Sequence, residues 1–184
     1  MDYYHYTIGI KLPDIFQDGF LRTSPREPRY PERPVVWLSS NPEYERSALK
    51  IGVRPDGLAA ALTLEAMAAV GRGVYRFRLV ESPPGETVLP WELLKSRARM
   101  PEKLRRRLVE RARECGALPG EWYGTLAPIP VEYLALEYRA PNGRWGAPEG
   151  LDLASLRGPT TRQATLSEIG LVIPKGKFAP GETF

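Results

Sequence analysis

Tyr3-Tyr4-His5-Tyr6-Thr7-Ile8-Gly9-Ile10 is the stretch on which the reading of this 184-residue chain turns. Aromatic and β-branched side chains crowd it and a glycine sits near its end, which predicts an opening strand that runs into a loop. Leu12, Ile15 and Phe16 follow at helical spacing, and Gly19 stands where a left-handed cap would close a short helix over 13–18. Four prolines between 22 and 34 make that segment a loop, and Val35-Val36-Trp37-Leu38-Ser39 reads as a second strand.

Further along, Ser40-Asn41-Pro42-Glu43 has the polar cap, early proline and early acid of a helix start. That helix is expected to carry Tyr44, Ser47, Ala48 and Ile51 and to stop at Gly52. The alanine-rich run 58–70 predicts another helix, ended by Gly71-Arg72-Gly73. Residues 74–80 alternate apolar and arginine side chains, the pattern of a half-buried strand, and 90–94 suits a short turn of helix. The segment 101–115 is the strongest helix, with Leu104, Leu108, Ala112 and Cys115 on one face and arginines opposite. A loop over 119–130 and a late strand over 131–139 complete a mixed α+β domain spanning 1–139. Residues 140–184 read as a Gly/Pro-rich C-terminal tail that wraps the domain or is partly disordered, with a short strand at 169–173.

Composition narrows the chemistry. With 42% hydrophobic and 26% charged residues the chain is that of an ordinary globular protein. No apolar run is long enough for a membrane span, and the opening Met1-Asp2-Tyr3-Tyr4-His5 is unlike a signal peptide, so a cytoplasmic protein without membrane contact is expected. One cysteine, Cys115, cannot form an internal disulfide. One histidine and one cysteine cannot supply the three or four ligands of the usual zinc site, so no metal is expected. Phosphate-binding loops of the Gly-x-x-x-x-Gly-Lys-Ser/Thr kind, Gly-x-Gly-x-x-Gly and Gly-x-Ser-x-Gly are all missing. The net charge of +4 is local in origin: nine basic residues against three acidic ones lie between Lys95 and Glu114, leaving the rest slightly acidic. Arg105, Arg106, Arg107, Arg111 and Arg113 could form a phosphate-binding face for nucleic acid, or simply a solvated helix face.

Three patches stand in a telling order. They are His5-Tyr6-Thr7 with Gly19-Phe20-Leu21; Val36-Trp37-Leu38-Ser39 with Ser47-Ala48; and Glu121-Trp122-Tyr123 with Ile129-Pro130-Val131-Glu132-Tyr133-Leu134. This order resembles the ADP-ribosyltransferase superfamily, the NAD-dependent group that includes poly-ADP-ribose polymerases, diphtheria-type toxins, RNA 2′-phosphotransferases and DarT-type DNA-modifying toxins. The resemblance covers roughly residues 3–139 in short patches. It implies a split antiparallel sheet with flanking helices and NAD as substrate.

By the same resemblance, His5 would hydrogen-bond the adenosine-side ribose, Thr7 would lie beside the nicotinamide amide and Trp37 would stack on the nicotinamide ring. Ser39 and Ser47 would complete the dinucleotide site. Each also has an ordinary structural reading: a packed histidine, a core tryptophan, helix-cap or helix-contact serines. Breaking the glycosidic bond of NAD passes through a cationic ribose, which calls for a nearby carboxylate. Glu121, before Trp122, and Glu132, at the opening of the late strand, compete for that role. No Gln-x-Glu or Glu-x-Glu pair occurs at either place, so the acceptor stays open. The expected function is mono-ADP-ribosyl transfer to a nucleic acid or protein, in a toxin or phage-conflict setting. The alternatives are a non-catalytic nucleic-acid-binding protein using helix 101–115, or an RNA 2′-phosphotransferase.

Overall fold

The computed structural model describes residues 1–23, 31–53 and 59–156. In chain order the elements are β1 (Tyr4–Ile8), α1 (Leu12–Asp18), β2 (Phe20–Leu21), β3 (Val36–Ser39), β4 (Ile51–Val53), β5 (Ala59–Ala61), α2 (Leu64–Gly71) and β6 (Val74–Leu79). Then follow β7 (Leu89–Pro90), α3 (Trp91–Arg97), α4 (Glu102–Cys115), β8 (Trp122–Thr125), β9 (Ile129–Pro130), β10 (Leu134–Arg139), β11 (Trp145–Gly146) and α5 (Leu153–Leu156). The result is a mixed α+β fold around a seven-stranded antiparallel sheet of order β11-β10-β6-β1-β3-β8-β7.

The sheet has two halves. β1 pairs with β6 along its whole length, from Tyr4↔Arg78 to Ile8↔Val74, and β3 pairs with β8 from Val36↔Thr125 to Ser39↔Trp122. Between the halves, β1 and β3 share the single pair Tyr4↔Ser39. Beyond it the backbones part, and their polar groups must find other partners.

Alternation along β1 decides what faces what. Tyr4, Tyr6 and Ile8 pack with Tyr44, Leu62, Met67 and Val74 beneath α2. His5 stands opposite Phe77, and Phe77 opposite Leu136, so these side chains share the other face. There Phe77 packs with Leu12, Leu21, Val36, Leu38 and Tyr75, and with Ile15 and Phe16 of α1. A third cluster joins Trp91, Leu94, Leu108, Ala112 and Trp122 from α3, α4 and β8. Gly19 closes α1 in the left-handed region at φ 79°, as its position predicts.

Four expectations are corrected. The helix expected from Asn41 to Gly52 is absent: a 3₁₀ turn spans Arg46–Ala48, and Ile51–Val53 is a strand paired with Ala59–Ala61. Local side-chain bonds outcompete the helix there. Asn41 Oδ1 accepts from the Glu43 and Tyr44 amides at 2.9 and 3.2 Å, and Glu45, in extended conformation, turns its carboxylate back onto the Ser47 amide at 3.0 Å. The alanine-rich helix starts only at Leu64, capped by Thr63 Oγ1 accepting from the Ala66 amide, because alanines 59–61 serve the small sheet. The loop expected over 119–130 contains β8, a central partner of β3. Flanking prolines hid it, and Gly124 inside it is required by packing: a Cβ there would meet the Val36 carbonyl oxygen at 2.6 Å and Leu94 Cδ2 at 2.9 Å. The late strand begins at Leu134, after a 3₁₀ turn over Val131–Tyr133.

Beyond residue 139, β11 extends the sheet, the Trp145 indole donates to the Glu43 carbonyl at 2.8 Å, and Leu156 of α5 joins the core around Phe77. The strand expected at 169–173 and the middle of the 22–34 loop lie outside the described residues.

Candidate functional site

Where β1 and β3 separate, a cleft of about 490 Å³ opens. That volume is typical of small-molecule sites. Its walls come from both strands, from α1 and β2, and from the 45–50 segment. His5, Thr7, Trp37, Ser39 and Ser47 all line it. Residues 5 and 7 reach it from one strand, 37 and 39 from the next, and 47 from the 3₁₀ turn that replaces the expected helix.

His5 occupies the gap left by the failed strand pairing. Its Nδ1 lies 2.9 Å from the Trp37 carbonyl oxygen. A carbonyl only accepts, so Nδ1 carries the proton and donates, which leaves Nε2 as an acceptor. Burial pushes the imidazole down to about 4, against the raising effect of the Trp37 bond; Lys50 and Lys11 lower it further. At neutral pH the ring is therefore an uncharged acceptor on the cleft wall.

This shift has a measurable sign. Below pH 6.5 an unfolded chain takes up a proton on His5 that the folded chain refuses until about pH 4. Stability should therefore fall over that interval, by about 3 kcal/mol at most, and be constant in this contribution at higher pH. Denaturant titrations between pH 4 and 7 check it: the wild type should show an acid slope that His5→Ala loses in part.

Trp37 is half-buried and sits against Trp91 and Trp122, with ring centroids 6.1 and 6.2 Å away. Trp122 is edge-on to Trp91 at 5.4 Å, and its buried indole N–H has no hydrogen-bond partner among the described residues. Thr7 and Ser39 are buried, at 4% and 2% exposure, and both still line the cleft.

The two glutamates named from the sequence part company. Glu121 precedes β8, and its Oε2 accepts from Asn41 Nδ2 at 2.9 Å while its carbonyl accepts from the Ser40 amide. It is held beside the end of the Ser39↔Trp122 pair, where Trp122 lines the cleft. Glu132 is exposed in the 3₁₀ turn before β10, and neither glutamate itself lines the cleft.

One residue that sequence reasoning missed is Glu45, a cleft-lining carboxylate at 6% exposure. It accepts from Ser39 Oγ at 2.9 Å and from Ser47 Oγ at 2.7 Å. A helical reading of 41–52 assigns Glu45 no role in the site. The Asn41-Pro42 dipeptide, a turn initiator, is the signal that would have argued for a turn instead.

On α4, Leu108 lines the cleft and Ala112 is buried, while the arginines divide. Arg105 donates Nε to the Met100 carbonyl at 2.7 Å, and Arg111 donates to Glu114 at 3.2 Å. Arg106 lies 3.9 Å from Glu110. Arg107 and Arg113 are exposed, with no ion-pair partner among the described residues. No helix among the described residues is long and apolar enough to cross a membrane.

The fold and cleft thus define an α+β protein with a mainly apolar, tryptophan-walled pocket, set with buried polar side chains, at a break in its main sheet. Comparison with known protein families, with curated proteins and with solved structures finds no match.

Proposed function

We propose that the chain is an NAD-dependent mono-ADP-ribosyltransferase with an ADP-ribosyltransferase-like split sheet. One observation carries the reading. The five residues that the resemblance marks for NAD, scattered from position 5 to position 47, line a single cleft at the point where the sheet divides. A neutral His5 offers an acceptor to a ribose hydroxyl, and Trp37 offers an aromatic face for a ring.

In the proposed reaction the bond between nicotinamide nitrogen and ribose C1′ breaks, and nicotinamide leaves with the electron pair. A nucleophilic atom of the acceptor then bonds C1′ and loses its proton. Glu121 is favoured over Glu132 as the carboxylate that steadies the cationic ribose, because it is half-buried, fixed by Asn41 and next in sequence to cleft-lining Trp122, whereas Glu132 is exposed. Glu121→Gln should lower nicotinamide release about a hundredfold with NAD affinity kept within threefold, while Glu132→Gln changes neither. Initial-rate assays with both variants check this. Equal losses in the two, or none in Glu121→Gln, would contradict the assignment.

The favoured acceptor is nucleic acid. The helix whose inner face lines the cleft through Leu108 carries Arg107 and Arg113 on its exposed side, within reach of a polyanion's backbone. Reversing both charges, Arg107→Glu with Arg113→Glu, should weaken DNA or RNA binding at least tenfold and flatten its salt dependence. Unchanged binding in a salt titration would favour a protein acceptor. NAD turnover that requires nucleic acid also separates this reading from the non-catalytic binding protein, and turnover without 2′-phosphorylated RNA separates it from the phosphotransferase.

A further inference from the structure

We infer that Glu45 sets the hydrogen-bonding polarity of the cleft, so that its anchoring subsite takes a hydrogen-bond donor group of the ligand and rejects a carboxylate. The inference rests on the reading of the cleft as an NAD site and adds a specificity-determining residue to it.

A serine hydroxyl has one hydrogen to give and two lone pairs to offer. Ser39 and Ser47 normally could play either part toward a ligand. Here both hydrogens are committed to one carboxylate: Ser39 Oγ donates to Glu45 Oε2 at 2.9 Å and Ser47 Oγ donates to Glu45 Oε1 at 2.7 Å. The arrangement is rigid. Glu45 Oε1 also holds the Ser47 amide at 3.0 Å, and Ser39 Oγ accepts from the Asn41 amide at 3.1 Å. One lone pair on Ser39 and two on Ser47 are left over, and both serines line the cleft. His5 works in the same sense, since its Nδ1 hydrogen goes to the Trp37 carbonyl and Nε2 can only accept.

The subsite made by His5, Ser39 and Ser47 is therefore a set of acceptors around the buried Glu45 carboxylate, in a cleft that Lys11 and Lys50 also line. A primary amide or a ribose diol satisfies it; a carboxylate finds lone pairs facing lone pairs and meets Glu45 as a like charge. NAD and its deamidated analogue, nicotinate adenine dinucleotide, differ in that one group. A site that reads the group as a donor separates the two strongly, because the wrong ligand leaves buried polar groups unpaired.

The test is calorimetric titration of the full chain with each dinucleotide, on wild type, Glu45→Gln and Ser47→Ala. Wild type should bind NAD at least tenfold more tightly than the analogue. Glu45→Gln removes the charge and can itself donate to a serine, freeing a hydroxyl hydrogen for the ligand, so the preference should shrink to within threefold. Ser47→Ala, which keeps Glu45 and its Ser39 bond but removes two of the opposing lone pairs, should weaken NAD binding and not weaken the analogue's, so the preference narrows. A wild type that binds both dinucleotides equally, or a preference that survives intact in Glu45→Gln, overturns the inference while leaving the NAD site standing. Binding of neither dinucleotide removes the NAD reading and this subsite with it. The wild-type preference needs no variant to fold.

Discussion

A Phe77→Ala variant is expected to lose about 3–5 kcal/mol of folding stability, the largest effect of any single truncation proposed for this protein. Phe77 is 1% exposed at the centre of the main sheet, paired with His5 on one side and Leu136 on the other, with the Phe16 ring 6.0 Å from its own. Its removal opens a void between the sheet and α1 that neighbours from both cannot easily fill, since a sheet held by ladder hydrogen bonds collapses little. Domains of this size commonly have about 5–15 kcal/mol in total, so the variant should be marginal at room temperature. A shift of the urea midpoint with unchanged slope checks it. Because Phe77 lies beside His5, the same void should loosen the cleft wall, and ligand affinity should fall with stability.

His5→Ala should separate these two effects. The substitution removes one net hydrogen bond, to the Trp37 carbonyl, worth about 0.5–1.5 kcal/mol, and at neutral pH it leaves no buried charge behind because the imidazole is uncharged. Folding should survive. Binding should not, at least at the wild-type level. His5 is both the acceptor on the cleft wall and the tie that spans β1 and β3 where they share no ladder beyond Tyr4↔Ser39. A loss of at least tenfold in NAD affinity with a native melting profile at pH 7 is the expected result. Wild-type affinity in His5→Ala would return the histidine to an ordinary packing role.

Much of this architecture is legible in the chain, and the exceptions have physical causes. The aromatic and β-branched run at 4–8, the alternation along 74–79 and the amphipathic pattern of 102–115 all mark real elements, but β6 is buried on both faces, Arg76 included, where the alternation predicts a half-buried strand. β8 is not legible in that way. Trp122-Tyr123-Gly124-Thr125 is short, lies between prolines, and owes its place to β3 rather than to its own pattern. The helix expected after Ser40 fails for the opposite reason. Its local signals are real, but the side chains of Asn41 and Glu45 spend their hydrogen bonds on a turn and on two serines. The site follows the same division. His5, Thr7, Trp37, Ser39 and Ser47 can be named from motif order, whereas Glu45 acquires its role only when the chain brings residues 39, 45 and 47 together. Choosing between Glu121 and Glu132 likewise needs the Asn41 contact, which spans eighty positions of sequence.

The most direct test of the central claim is titration of NAD into the wild-type protein, followed by assay for free nicotinamide with and without added nucleic acid. Saturable binding at a single site is expected, with nicotinamide release that rises when DNA or RNA is supplied. No binding up to millimolar NAD would contradict it.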